Sequence, residues 1–428
     1  MDITASKASP SMPWELPAPP FRNKDDDPLA AGFEEALRVS REIDEQLLEA
    51  KKAMDKKKKC VQILLLGQAE SGKSSVLKNF QLAFAPKQFG ADRLAWKTII
   101  QLNVIGSIKL ILEVLQREWE ATDLQGKSEP NRDLRRIQLG LSPLLSMEQS
   151  ITQLISPGTH NYRGVCVRPG SNWKSLLKAR AEKPPHDGSD PRKKRRSQNP
   201  LTKELDPSSV LVASKEDILI LWNDPNVRAT LKRQGLTLEE TPGFFLNDIA
   251  RIADVNYQPT DSDIMRARLR TLGVEEHHFV IEKGLDVGSE VYITDVGGSR
   301  SQRPKWIPYF EDVQTILFLA PLAFNQALEE DPDINRLEDS LMLWREICRS
   351  KILANATLIL FFNKKDVLQS TLAAGVKVKK YVPSYGDQPN EMAPQRKLSP
   401  LPRPFMFHET SAVVSTKSNV CADQKLTK

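Results

Sequence analysis

Val61-Gln62-Ile63-Leu64-Leu65-Leu66-Gly67-Gln68-Ala69-Glu70-Ser71-Gly72-Lys73-Ser74 runs an apolar strand straight into a glycine-bounded turn. The turn fits the pattern GxxxxGK[ST], and the strand before it and helical spacing after it are the setting that pattern requires. Its glycines let backbone N–H groups turn inward around phosphates, helped by the N-terminus of the following helix. Lys73 is placed to neutralise the β and γ phosphates, and Ser74 to ligate Mg²⁺. This stretch reads as a phosphate site at the first strand of an α/β fold.

Outward from it, residues 279–282 and 291–295 read as a hairpin pair. Residues 313–320 and 357–362 are continuous apolar runs, as expected of central parallel strands, and 405–408 is a last short strand. Helical spacing lies between them, notably over 335–350, which predicts crossover helices. Upstream, Phe33, Leu37, Ile43, Leu47 and Leu48 recur at helical spacing and predict an amphipathic helix over 29–60 with a basic end. Between a helix at 74–84 and residue 263 the periodicity is helical, best over 91–116 and 215–252, with no convincing strand. Residues 1–28 and about 120–212 are polar and punctuated by proline, and 183–200 cannot bury a core. The expected organisation is therefore an α/β domain over 61–90 and 264–412, with an all-helical domain inserted at 91–263. A disordered insertion at about 120–212, a disordered start at 1–28 and a polar tail at 413–428 complete it.

A length of 428 residues suits more than one core, and a 40% apolar content suits globular domains. The net charge of +6 is concentrated in 51–59, with six lysines, and in Arg192-Lys193-Lys194-Arg195-Arg196. Clustered charge speaks to surfaces rather than fold. The second run reads as a solvated loop, with a nuclear-localisation or acidic-surface patch as the alternative, and nucleic acid is not an expected partner. Cys60, Cys166, Cys348 and Cys421 show no paired spacing, which fits a reducing cytosol. No apolar run approaches the ~20 residues that span a bilayer, and Met1-Asp2 is neither a signal peptide nor a myristoylation start. A soluble cytoplasmic protein is expected, with peripheral contact to the anionic inner face of the plasma membrane through the lysines at 56–59.

Asn363-Lys364-Lys365-Asp366 ends one apolar strand, and Thr410-Ser411-Ala412 follows the last. A carboxylate such as Asp366 accepts hydrogen bonds from the amide edge of guanine, which adenine cannot donate. Asn363 would brace the loop, and the Ala412 N–H would meet the guanine carbonyl. Ligands of doubly wound sheets sit at the carboxyl ends of strands. The ligand read from these positions is GTP or GDP, and an ATP-dependent enzyme is disfavoured.

Three further stretches carry a family resemblance: Asp295-Val-Gly-Gly-Ser-Arg300 with Lys305-Trp306, the run from Tyr257 to Gly273 containing Arg266, Arg268 and Thr271, and Asn335-Arg336-Leu-Glu338-Asp339-Ser340 with Leu343-Trp344. They resemble the three switches of heterotrimeric G-protein α subunits, in a divergent, fungal-type form. Trp96–Ile105 and Leu221-Trp-Asn-Asp-Pro225 resemble segments of that family's helical domain, while about 120–212 has no counterpart. The resemblance implies a Ras-like P-loop GTPase domain with an inserted all-helical domain. It implies nucleotide contacts from Glu70, Ser71, Gly72, Lys73, Ser74, Ser75, Arg266, Thr271, Gly298, Asn363, Lys364, Asp366 and Ala412. Mg²⁺ would be held by Ser74 and Thr271, and by Asp295 through a water. Arg268 would be an arginine finger supplied in cis. A contact from Glu240 to Lys364 would close the cleft. A βγ dimer, an effector and a receptor or exchange factor are the implied partners.

Two departures from the family qualify this. Its second switch carries glutamine where Ser299 stands, and that glutamine orients the attacking water. A serine hydroxyl is too short to do so, hence slow hydrolysis is expected, with a non-hydrolysing nucleotide-binding scaffold as the alternative. Residues 413–428 are too sparsely apolar for the long terminal helix that the family presents to receptors, so weak receptor coupling is expected.

Overall fold

The computed structural model describes residues 28–123, 132–158, 164–168, 170–181, 207–387, 389–390 and 406–409. The chain divides into two units, Met1–Lys59 and Cys60–Lys428. In the first, α1 (Pro28–Lys58) is one continuous helix ending in Lys56, Lys57 and Lys58, where a helix dipole favours cations. Its Leu37, Ile43, Leu47 and Leu48 are exposed.

The second unit contains strands β1 (Val61–Gly67), β2 (Cys166–Val167), β3 (Arg270–Thr271), β4 (Val274–Val280), β5 (Glu290–Val296), β6 (Thr315–Pro321), β7 (Thr357–Asn363) and β8 (Met406–Glu409). Six of them form a sheet in the order β4-β5-β1-β6-β7-β8. Only the β4–β5 pair is antiparallel; the other neighbours are parallel. The apolar runs thus become central strands, as expected. On β1, Leu64 and Leu66 enter a core with Phe318, Trp344 and Phe362, while Leu65 enters one on the opposite face with Leu77, Phe279 and Ile293. Strand order turns back at β1, between β5 and β6, so the crevice beyond its carboxyl end is the natural ligand position.

The helices α2 (Lys73–Phe84), α3 (Pro86–Ala91), α4 (Arg93–Asp123), α5 (Arg132–Gly140), α6 (Ser142–Ile155), α7 (Trp173–Ala181) and α8 (Pro207–Ala213) precede α9 (Lys215–Asn223), α10 (Pro225–Arg233), α11 (Ile249–Ile252) and α12 (Asp261–Arg266). Later in the chain α13 (Arg336–Arg349) follows β6, and α14 (Lys365–Ala373) and α15 (Val378–Tyr381) follow β7. A separate helical core joins α4 to α6 and α9 to α12 through Trp96, Ile105, Ile151, Trp222 and Phe245. Arg93–Glu120 of α4 is long and apolar enough to cross a membrane by length and composition, against the expectation from apolar runs. Its Ile99, Ile100, Val104, Ile105 and Ile108 are instead buried in this core.

The expectation of disorder over about 120–212 is corrected wherever the structure describes it. Leu134, Ile137, Leu141, Leu144, Met147, Ile151 and Ile155 are all buried in the helical core. Their three- and four-residue spacing makes one apolar stripe across α5 and α6. The proline of α6 lies in its first turn, where it starts a helix rather than breaking it. Residues 124–131, 159–163 and 182–206, with the basic run 192–196, lie outside the described residues, as do 1–27. The single helix expected over 215–252 is also corrected. Asp224 caps α10 by accepting from the Asn226 and Val227 amides, and Pro225 forbids continuation of α9. The expectation of no strand in this region fails at β2, which pairs parallel with β3.

Candidate functional site

The carboxyl ends of β1, β5 and β7 come level because their registers place Leu65 beside Asp295 and Pro321 beside Asn363. The phosphate loop leaves β1 and folds back on itself. Gly72 has φ +100°, and a Cβ there would stand 2.1 Å from Asn363 Nδ2. That amide donates to Ser71 O at 2.8 Å, so Asn363 braces the phosphate loop. Lys73 is buried beneath the loop, its Nζ donating to Gly67 O at 3.0 Å and Gln68 O at 2.7 Å. Burial brings its pKa down to about 8, opposed by the nearby Asp295 carboxylate. Ser75 follows on α2, its carbonyl accepting from Asn79 Nδ2.

Three oxygen side chains from distant parts of the chain meet beside this loop. Ser74 Oγ donates to Asp295 Oδ2 at 2.7 Å, and Thr271 Oγ1 donates to the same atom at 3.2 Å. Asp295 is buried, and burial pushes its carboxyl up against the opposing pull of Lys73 and the two hydroxyl hydrogen bonds. Its Oδ1 is buried with no hydrogen-bond partner among the described residues. An all-oxygen set with an unmet buried acceptor suits a hard divalent cation such as Mg²⁺.

Arg268 stands against the phosphate loop. Its guanidinium donates to Glu70 Oε1, and Glu329 Oε2 is 3.8 Å away. Arg270 pairs with the same Glu329, and Arg336 Nη2 lies 3.4 Å from Glu70 Oε2. Burial pushes the Glu70 carboxyl up, but the charges of Arg268, Arg336, Lys364 and Arg270 together outweigh it and hold it below the usual range. Lys364, in the left-handed region at φ 62°, is brought down to about 8, first by burial and then by Arg336. Asp366 is exposed in the first turn of α14.

Gly298 abuts the phosphate loop so closely that a Cβ would stand 2.2 Å from Gln68 C. Ser299 Oγ lies 3.4 Å from Ser301 Oγ. Arg266 stands apart from the others. It donates to Asp248 Oδ2 at 2.9 Å and Phe244 O at 2.8 Å, within the helical part. Thr410, Ser411 and Ala412, and the side chain of Glu240, lie outside the described residues.

Several site residues escaped the motif reading. Asn103 on α4 accepts from Arg268 N at 2.7 Å and donates to Arg268 O at 2.9 Å, clamping that residue's backbone. A lone asparagine within an apolar helix was the available signal. The backbone of the first switch is also held by β2, as Arg270 N donates to Val165 O and Leu272 N to Val167 O, both at 2.9 Å. Trp306, by contrast, belongs to the second-switch motif; it is buried with Nε1 donating to Gly297 O at 2.9 Å, which ties the end of that switch to its start.

Residues 37–413 match the family model described as G-protein alpha subunit. The chain belongs to the G-protein alpha subunit family. It is similar to the guanine nucleotide-binding protein alpha-4 subunit of Mycosarcoma maydis, at 30% identity over 77% of this chain and 72% of the relative. The alpha-2 subunit of Neurospora crassa is also 30% identical, over 82% of this chain and 77% of its own length. The alpha subunit of Candida albicans is 28% identical over 78% of both chains. As a G-protein alpha subunit, the chain is a guanine-nucleotide-binding signalling protein of a family whose members are generally Mg²⁺-using GTPases that act with βγ dimers, receptors and effectors. The Ras-like sheet with a helical partner, expected from sequence, is the fold of that family.

Proposed function

We propose that this G-protein alpha subunit cycles between GTP and GDP on the site built around Lys73, and hydrolyses GTP slowly. The observation that carries the reading is the meeting of Ser74, Thr271 and Asp295 on one buried carboxylate oxygen beside the phosphate loop. Bound Mg²⁺ would offset charge on the β and γ phosphates. Lys73 and the loop amides bind those phosphates, Lys364 and Asp366 bind the base, and Asn363 braces the loop through Ser71 O. Thr271 and the Gly298 N–H lie on separate segments, so the γ phosphate is what draws both switches together, and its loss releases them. Arg268 swings from Glu70 to the phosphates to stabilise charge in the transition state.

A serine at 299 supports slow turnover, since its hydroxyl is too short to align the nucleophile. It also favours the second reading, a scaffold that holds nucleotide without hydrolysing it. The switch residues 268–310 are the surface offered to a βγ dimer or effector, and the lysine-rich end of α1 is offered to an anionic membrane at the cytoplasmic face. Guanine-nucleotide affinity with and without Mg²⁺, read through Trp306 fluorescence, tests the switch. A spectrum indifferent to GTP analogues, with tight nucleotide binding retained, establishes the scaffold instead.

A further inference from the structure

Gln302 lies one turn beyond Ser299 in the 3-10 helix Arg300–Tyr309, where its amide N–H donates to Ser299 O at 2.9 Å. That turn carries its side chain back over the start of the second switch. Gln302 Oε1 stands 1.6 Å from the place a Cβ on Gly297 would occupy, and Thr271 O stands 3.0 Å from the same point. Only a glycine at 297 leaves this space for the amide. Gln302 therefore faces the backbone carbonyl of the first switch across Gly297, beside the residues assigned above to the γ phosphate and Mg²⁺. Ser299 faces Ser301 instead. Pro304 and Pro308 lie inside the same helix, and fixed φ angles there restrain the turn that delivers Gln302.

We propose that Gln302 positions the attacking water in this protein, in place of the side chain missing at 299. The inference rests on the functional reading above. The water lies between Thr271 O and the Gln302 amide, giving one hydrogen bond to the carbonyl and one to Oε1. Its oxygen bonds to the γ phosphorus as the bond from that phosphorus to the β–γ bridging oxygen breaks. The bridging electron pair leaves with GDP, and a water proton passes to the released phosphate. Gln302 is unchanged by the reaction. Reaching the nucleophile from one turn away gives a less direct alignment than reaching it from 299, so hydrolysis persists but is slow.

The test is single-turnover phosphate release from full-length chain loaded with GTP, for wild type, Gln302→Ala, Gln302→Glu, Ser299→Gln and the Ser299→Gln, Gln302→Ala double variant. Removing the amide is expected to slow wild type at least about tenfold. GTP-analogue affinity and the Trp306 fluorescence change stay as in wild type. Gln302→Glu retains the shape of the side chain and guards against a folding defect; it too is expected to slow release, because an anion facing the γ phosphate disfavours the attack. In the Ser299→Gln background, loss of Gln302 is expected to cost less than about twofold, because a glutamine at 299 takes over. An unchanged rate in Gln302→Ala overturns the proposal. So does an equal loss in both backgrounds, which marks a structural role, or a wild type that binds GTP and never cleaves it. A chain that binds no guanine nucleotide overturns the functional reading itself.

Discussion

Replacing Asn103 tests whether the helical part sets the reactivity of the phosphate site. Its side chain makes two hydrogen bonds to the Arg268 backbone, at 2.7 Å and 2.9 Å, and only 9% of the residue is exposed. A net hydrogen bond contributes about 0.5–1.5 kcal/mol, so losing both in Asn103→Ala costs about 1–3 kcal/mol. Asn103→Leu fills the space and loses the same two bonds, which separates hydrogen bonding from packing. Gly243 leaves no room for adjustment: a Cβ there would stand 2.8 Å from Arg268 Cβ, so the segment is confined on that side. A loss near 2 kcal/mol loosens the placement of Arg268 by more than tenfold, since 1.4 kcal/mol is a factor of ten. Single-turnover phosphate release should fall about tenfold in both variants, with GDP affinity within about threefold of wild type and a lowered Tm. If both variants release phosphate within twofold of wild type, the clamp does not govern Arg268 and the reasoning is refuted.

Ser299→Gln should raise the single-turnover rate by about tenfold or more, a gain of function that a damaged site would not give. Gly298→Ala places a methyl 2.2 Å from Gln68 C, so GTP analogues should bind without changing Trp306 fluorescence; a normal change would refute this close approach. His277 is held neutral by burial, its pKa brought down to about 3 from 6.5, so the unfolded chain binds the extra proton between those values. Stability from this residue is therefore present above pH 6.5 and lost as pH falls toward 3, at up to about 1.4 kcal/mol per unit. Denaturant titrations of His277→Gln should show a shallower acid loss than wild type across that window. Amide exchange at Arg270 and Leu272 should be slow because both donate to the β2 backbone, and Val167→Asp, which buries a charge where a residue is 1% exposed, should speed it.

The site was legible wherever its chemistry is local. Lys73, Ser74 and Asn363 belong to short motifs at strand ends, and the structure brings them to one loop. Asn103 and Gln302 were not legible, because each acts on a residue it does not adjoin in a motif. Asn103 reaches a backbone more than a hundred residues on, and Gln302 matters only because the 3-10 turn brings its amide over Gly297. The stripe from Leu134 to Ile155 was present in the sequence but hidden among polar residues and a helix-starting proline.

From sequence alone came the phosphate loop, the parallel strands and the family. These follow from short-range rules: apolar runs must be buried, and glycines must turn where backbone amides gather. Tertiary structure alone decided that one buried oxygen of Asp295 receives both Ser74 and Thr271, that the Ser299 hydroxyl meets Ser301, and that β2 pairs with the first switch. Those depend on distances between segments far apart in the chain, set by how two cores pack rather than by any residue's own preference.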